Sequence, residues 1–198
     1  MPNNKLSVTT KAICLNGAWQ FRQKGSDNWL PAHVPGSNFT DLLANHLIED
    51  PFYRDHEAQL QWVEHQDWHY RKHFHVSGEL LAHSEVELVM DGLDTYCDVY
   101  LNGNLIHQNR NMFVGHRVRC KQWLLCGENE LRVEFRSPIN ETMPQHLTQG
   151  FTYPAENDKS VERLSVYSRK APYHFGWDWG PRFVTSGIWR SIKLEPVN

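Results

Sequence analysis

The sequence predicts an all-β fold, an antiparallel sandwich with one short helix and one long loop. Three observations carry the prediction. Apolar side chains recur at every second position through run after run, tight-turn residues punctuate those runs, and a single stretch switches to helical spacing. Short alternating strands separated by turns specify stacked antiparallel sheets rather than a helix-covered parallel one.

The elements follow in order. Ala12, Ile13 and Cys14 begin a short strand, Asn16-Gly17 turns it, and Trp19 and Phe21 then alternate onto one face. Residues 29–34 form a second strand that stops at Pro35-Gly36. Phe39, Leu42, Leu43 and Leu47 fall near helical spacing behind Ser37 and Asn38, either of which can cap, so residues 37–47 hold a surface helix. Residues 51–56 read as a loop. From Trp68 the period is two again: Trp68, Tyr70, Lys72, Phe74 and Val76 share one face, and His69, Arg71, His73 and His75 take the other. Strands over residues 85–91 and 95–101 lead into Asn102-Gly103, a pair suited to a two-residue hairpin turn with positive φ at both positions. Residues 105–107 return from that turn, residues 114–120 and 130–136 alternate, and residues 188–195 close the series. Trp19, Phe74, Val99, Val133 and Trp189 are expected to face the core. Residues 137–168 show little periodicity and too much length for an ordinary connection, which marks a functional loop. Trimming residues 157–160 should then cost little.

A chain of 198 residues fits one domain, 1–198, and its eight Trp, seven Tyr and nine Phe compensate in buried area for a hydrophobic content of 40%. A net charge of −3 without a Lys/Arg run excludes an electrostatic grip on nucleic acid or an anionic membrane. No apolar run has the length of a membrane-spanning helix. Cys14, Cys97, Cys120 and Cys126 are irregularly spaced, and residues 1–10 lack the apolar stretch of a secretory leader. Reduced thiols in a cytoplasmic protein are therefore expected.

Chemistry concentrates in residues 169–182, into which the 137–168 loop delivers the chain. Gly176, Gly180 and Pro181 shape a bent segment that presents Trp177, Asp178 and Trp179 together. Aromatic faces stack on the C–H faces of a sugar ring, and a carboxylate accepts from two neighbouring hydroxyls, so these three residues are a candidate sugar site. The same residues fit a second reading, in which both indoles are core and Asp178 caps a turn. Hydrolysing a glycoside takes two carboxylates across the scissile bond. No second carboxylate has a setting comparable to that of Asp178, and Asp91 and Asp94 read as turn formers. Of the twelve His, His65, His69, His73 and His75 are the densest group, with His73 and His75 pointing the same way on a strand. Nothing supplies a third ligand, and neither a metal nor a cofactor is expected.

Longer motifs run nearly end to end. They include Leu15-Asn-Gly-Ala-Trp-Gln-Phe21, Ile48-Glu-Asp-Pro-Phe-Tyr-Arg54, Asp91-Gly-Leu-Asp-Thr95, Val99-Tyr-Leu-Asn-Gly103, Arg169-Lys-Ala171, Phe175-Gly-Trp-Asp-Trp-Gly-Pro-Arg182 and Gly187-Ile-Trp-Arg190. On these stretches the chain resembles the N-terminal domain of β-mannosidases of glycoside hydrolase family two. The resemblance implies a galactose-binding-like jelly roll, followed in the same polypeptide by immunoglobulin-like domains and a catalytic (β/α)₈ barrel. Both catalytic glutamates would lie in that barrel and none in this chain, which would be an inactive piece of a retaining enzyme acting on terminal β-D-mannose of a mannoside or oligosaccharide. Asp178 would contact the mannose hydroxyls, and Trp177 and Trp179 would wall the pocket and fix the segment by burial. His56 departs from the Asn expected after Tyr53-Arg-Asp55. The alternative is a free-standing carbohydrate-binding module of the same fold.

Overall fold

Alternation of apolar and polar side chains builds two facing antiparallel sheets in the computed structural model, which describes residues 12–197; the leader reading of residues 1–10 lies outside them. The strands are β1 (Ile13–Cys14), β2 (Gly17–Gln23), β3 (Leu30–Val34), β4 (Trp68–Val76), β5 (Glu85–Met90), β6 (Leu93–Asp94), β7 (Tyr96–Leu101), β8 (Asn104–Arg110), β9 (His116–Arg119), β10 (Gly127–Arg136), β11 (Gly187–Ile188) and β12 (Ile192–Val197). One sheet has the order β3-β2-β4-β10-β7-β8 and the other β1-β12-β5-β9, while β6 and β11 pair by themselves.

Register explains the core. On β10, Val133 lies opposite Tyr70 of β4 and Val99 of β7, and Phe135 lies opposite Trp68 and Cys97, so every second residue points inward across three strands. Leu88 and Met90 of β5 pair with Leu194 and Ile192 of β12 to form the opposing layer. Side chains of both layers join one buried cluster, as the expected antiparallel sandwich requires. Lys72, the polar member of the inward face of β4, carries its ammonium out to the Ala18 carbonyl at 2.7 Å. The β7–β8 turn has φ of 49° at Asn102 and 81° at Gly103, as its sequence dictates.

Three expectations need correcting. Residues 137–168 are not a structureless loop: they open with helix α4 (Pro138–Gln149), the fourth after α1 (Asn38–Ala44), α2 (His56–Gln59) and α3 (Gly78–Leu81). Ser137 caps α4 by accepting from the Asn140 amide, Pro138 sits in the first turn where its missing N–H costs nothing, and Gly150 ends the helix at φ 72°. The last strand is interrupted at residues 189–191, and Trp189 is only half-buried, its indole N–H donating to the Met112 carbonyl. Within α1, Phe39 and Leu42 face the core, whereas Leu43 and the following Leu47 remain exposed. The helix is held instead by a capping box between Ser37 and Thr40 and by Asp41, which accepts from the His33 amide and the Tyr70 hydroxyl.

Candidate functional site

Residues 169–182 are built outward from their anchors. Arg169 bridges to Asn111, and the Arg169 carbonyl accepts from the Met112 amide at 3.0 Å. The next residue, Lys170, is fully buried and donates to both oxygens of Asp94 and to the Thr185 carbonyl. A turn of 3₁₀ helix (Pro172–Phe175) then drops Phe175 into a second apolar cluster with Ile139, Leu164 and Val184, beneath α4. Gly176 follows at φ 108°, where a Cβ would meet the Lys159 side chain at 2.7 Å, so both conformation and space demand glycine. Beyond it Trp177 and Gly180 exchange backbone hydrogen bonds of 3.3 Å each, closing a turn with Asp178 and Trp179 at its tip.

The tip contradicts one expectation. Trp179 is 84% exposed and Trp177 half-buried, so burial of the two indoles does not fix the segment. The rings lie 6.5 Å apart at 61° and contact edge to face. Asp178 is exposed, and among the described residues nothing hydrogen-bonds or ion-pairs with its carboxylate, which argues against a turn-capping role. Trp177 also lines a cleft of about 230 Å³ together with residues 154–158, Ser165, Val166 and Pro172.

What holds the tip is a buried charge cluster that sequence reading missed. Arg182 closes the segment with its side chain only 7% exposed. Its Nε and Nη2 form a fork on Glu64 at 3.1 and 2.9 Å, and Nη1 donates to Asp158 at 2.6 Å and to the Phe175 carbonyl at 3.1 Å. Its own amide donates to Glu57, and its carbonyl accepts from Gln61. Asp158 in turn gathers the Ser160 and Ser165 amides. Residues 157–160 are therefore an anchor, and the expectation that they can be trimmed cheaply is reversed.

Asp94 is likewise no simple turn former. Besides Lys170 it accepts from the hydroxyls of Thr95 and Thr185, with His174 Nδ1 3.8 Å away. Asp94, His174 and Thr185 line a cleft of about 320 Å³ with Met112, Tyr173 and Trp189. Burial and the neighbouring Lys170 charge push the His174 pKa down to about 4, leaving a neutral ring that shares a hydrogen bond with Thr185. Burial also lowers Lys170, against the opposing pull of Asp94. A lone Lys after Arg169 and a lone Arg after Pro181 carry no periodic signal; only the three-dimensional fold pairs each with a carboxylate.

Four carboxylates are buried among the described residues: Asp41, Glu64, Asp94 and Asp158. Each is committed to a protein donor, whereas Asp178 is free. His73 and His75 are exposed on β4, and no group of three or more His, Cys, Asp or Glu among the described residues could hold a metal. His56 bonds to the Asp50 carbonyl through Nδ1, on the exposed loop it follows. No helix of the described residues is long and apolar enough to cross a membrane.

The family described as glycosyl hydrolase 2 galactose-binding domain-like matches residues 19–190. Beta-mannosidase B of Aspergillus terreus is 37% identical over 188 residues, which cover 89% of this chain and 21% of that protein. The enzyme of the same name from Emericella nidulans is 38% identical over 192 residues, covering 91% and 22%. The crystal structure of a β-D-mannosidase from Dictyoglomus thermophilum superposes with a TM-score of 0.87 at 41% identity, covering 96% of this chain and 23% of that one. An exo-chitosanase from Amycolatopsis orientalis, at 15% identity and a TM-score of 0.66, shares the fold. The chain thus spans about a fifth of the length of the curated relatives it matches.

Proposed function

The chain belongs to the glycosyl hydrolase 2 galactose-binding domain-like family, and on that premise we propose that it is the N-terminal domain of a retaining β-mannosidase. Residues 1–198 act as one sandwich domain beside immunoglobulin-like and (β/α)₈-barrel domains of the same polypeptide. The barrel supplies the pair of carboxylates that retaining hydrolysis needs, about 5–5.5 Å apart. This domain supplies Asp178, which accepts from hydroxyls of the terminal β-D-mannose, and Trp177 and Trp179, which wall the pocket. Four free thiols, two of them buried, suit a cytoplasmic setting.

The observation that carries the reading is the free Asp178 carboxylate at the tip of a turn held by buried ion pairs on both sides. All its acceptor capacity is available to a ligand, and the tip need not be ordered by that ligand. An indole exposed like Trp179 favours a partner surface as well. An aromatic side chain buries about 150–250 Å², worth roughly 4–6 kcal/mol at 25 cal/mol per Å². Neighbouring domains that complete the pocket would recover that energy.

The test is an assay of the longest polypeptide encoded with this chain on aryl β-D-mannoside, β-D-glucoside and β-D-galactoside. Selective mannoside hydrolysis whose kcat/KM Asp178→Ala lowers by about two to four orders of magnitude supports the reading. Sugar binding without turnover would favour the free-standing module instead.

A further inference from the structure

We infer that Arg182 is a positioning residue that aims Asp178, acting through the backbone of the turn; the inference rests on the mannose-contact reading above. One guanidinium joins three stretches of chain. Glu64 lies in the 3₁₀ turn Gln61–His65, Asp158 organises the amides of residues 160 and 165, and the Phe175 carbonyl lies at the near base of the turn whose far base is Arg182 itself. Arg182 Nη1 therefore spans the turn from one base to the other while also holding Asp158, and Nε with Nη2 pins both bases to the body of the domain.

Other contacts close the same frame. The Lys159 amide donates to the Phe175 carbonyl at 3.1 Å, and the Lys159 stem fills the space that a Cβ on Gly176 would need. On the far side Phe183 packs at a tilt against Phe39 and edge to face against Phe52, with ring centroids 5.1 and 5.4 Å apart. Between these anchors the two backbone bonds of Trp177 and Gly180 and the edge-to-face indole pair shape the tip. The direction of Asp178 is thus set at the bases, and the guanidinium is the group that touches both.

Geometry rather than charge makes arginine necessary. Glu64 and Asp158 bring two negative charges to one cation, and lysine would keep that balance. An ammonium is a point donor, however, and cannot present a planar fork to Glu64 while reaching Asp158 and a carbonyl on its other edge. Arg182→Lys therefore preserves the buried charge and releases the turn. A displacement of about 1 Å at a reacting centre costs on the order of a hundredfold in rate.

The experiment has two arms. In the chain itself, amide hydrogen exchange of Arg182→Lys should rise at Trp177 and Gly180 while β4 and β10 keep wild-type protection. In the longest encoded polypeptide, a double-mutant cycle on aryl β-D-mannoside compares Arg182→Lys, Asp178→Ala and both together. Arg182→Lys should lower kcat/KM by about a hundredfold, mostly in kcat, and should add nothing in the Asp178→Ala background. Asp158→Asn, which loosens the same guanidinium without a change of shape, should reproduce a smaller loss if Arg182→Lys folds poorly. Additive losses, or unchanged exchange at Trp177 and Gly180, overturn the inference. Wild-type kcat/KM in Asp178→Ala alone overturns the mannose-contact reading instead, and the exchange arm still decides whether Arg182 orders the turn.

Discussion

At the scale of single residues, the site separates carboxylates that hold the protein from one that does not. Among the described residues Asp178 has no protein partner, so its removal should leave folding intact and act on the substrate. Charge-assisted hydrogen bonds contribute roughly 1.5–3 kcal/mol each, and two that strengthen as the sugar distorts would be realised in the transition state. If the chain serves the proposed mannosidase, Asp178→Ala is thus expected to lower kcat/KM by about two to four orders of magnitude, with Asp178→Asn in between. Parallel melting curves should show the midpoint unchanged. Asp41 and His174 make a second residue-scale prediction. Burial raises Asp41 to about 6 despite the bonds it accepts from His33 and Tyr70, and burial lowers His174 to about 4. Between about pH 4 and 6 folded Asp41 holds a proton the unfolded chain has released, so its contribution to stability falls as pH rises, by about 3 kcal/mol over the window. His174 runs the other way: the unfolded imidazole takes up its proton first, so its contribution is complete above pH 6.5 and is lost as pH falls towards 4. The two slopes oppose each other. Stability of Asp41→Asn should therefore rise with pH across this window and that of His174→Gln should fall, measured as urea midpoints at several pH values. A slope unaltered by either substitution would dismiss both assignments.

At the scale of elements, what was legible in the sequence was whatever repeats locally. Strands β4, β5, β7 and β10 follow from alternation, the β7–β8 turn from Asn102-Gly103, and α1 from Ser37 ahead of Phe39 and Leu42. Helix α4 was not legible because its apolar content is sparse and Pro144 lies inside it, which ordinarily argues against a helix. Its stability comes from Ile139 and Met143 packing under the segment that carries the site, and from Ser137, whose hydroxyl both caps the helix and donates to the Glu64 carbonyl. Ser137→Ala should cost about 1 kcal/mol or somewhat more, because a buried acceptor is orphaned along with the cap. The candidate site was legible in its ligand-facing part, Trp177, Asp178 and Trp179, since Gly and Pro punctuation marks a bent segment. Its supports were not, because Arg182 lies 118 residues from Glu64 in sequence. That separation also changes the outlook for residues 157–160. Deleting them removes Asp158 and leaves Arg182 short of a partner in the interior, a loss of about 3–5 kcal/mol. The midpoint should fall at least as far as in Trp19→Ala, whose buried indole is worth a similar ~3–5 kcal/mol. A deletion variant that melts like wild type would show that the buried cluster contributes nothing to stability.

At the scale of the whole molecule, the sandwich is a scaffold that projects the turn closed by Trp177 and Gly180. Retaining hydrolysis uses one carboxyl group to protonate the leaving oxygen and a second to attack the anomeric carbon. Asp41, Glu64, Asp94 and Asp158 are each bound to donors inside the protein, and freeing any of them would break an ion pair or a buried hydrogen bond that the fold uses. Asp178 is available, but the sequence offers no second carboxylate in a comparable setting. The 198-residue chain by itself should accordingly show no turnover of an aryl β-D-mannoside at high protein concentration, even if it binds mannose weakly through the exposed tip. The longer polypeptide should be active and should also shield Trp179 from solvent, so acrylamide quenching of its fluorescence, referred to a Trp179→Phe control, should drop relative to the isolated chain. Activity of the isolated chain that survives repurification and disappears in Asp178→Asn would place the chemistry in this domain and overturn the proposed division of labour between sandwich and barrel. Quenching equal in the two forms would instead mean that neighbouring domains leave the tip open, and that the indole waits for the sugar alone.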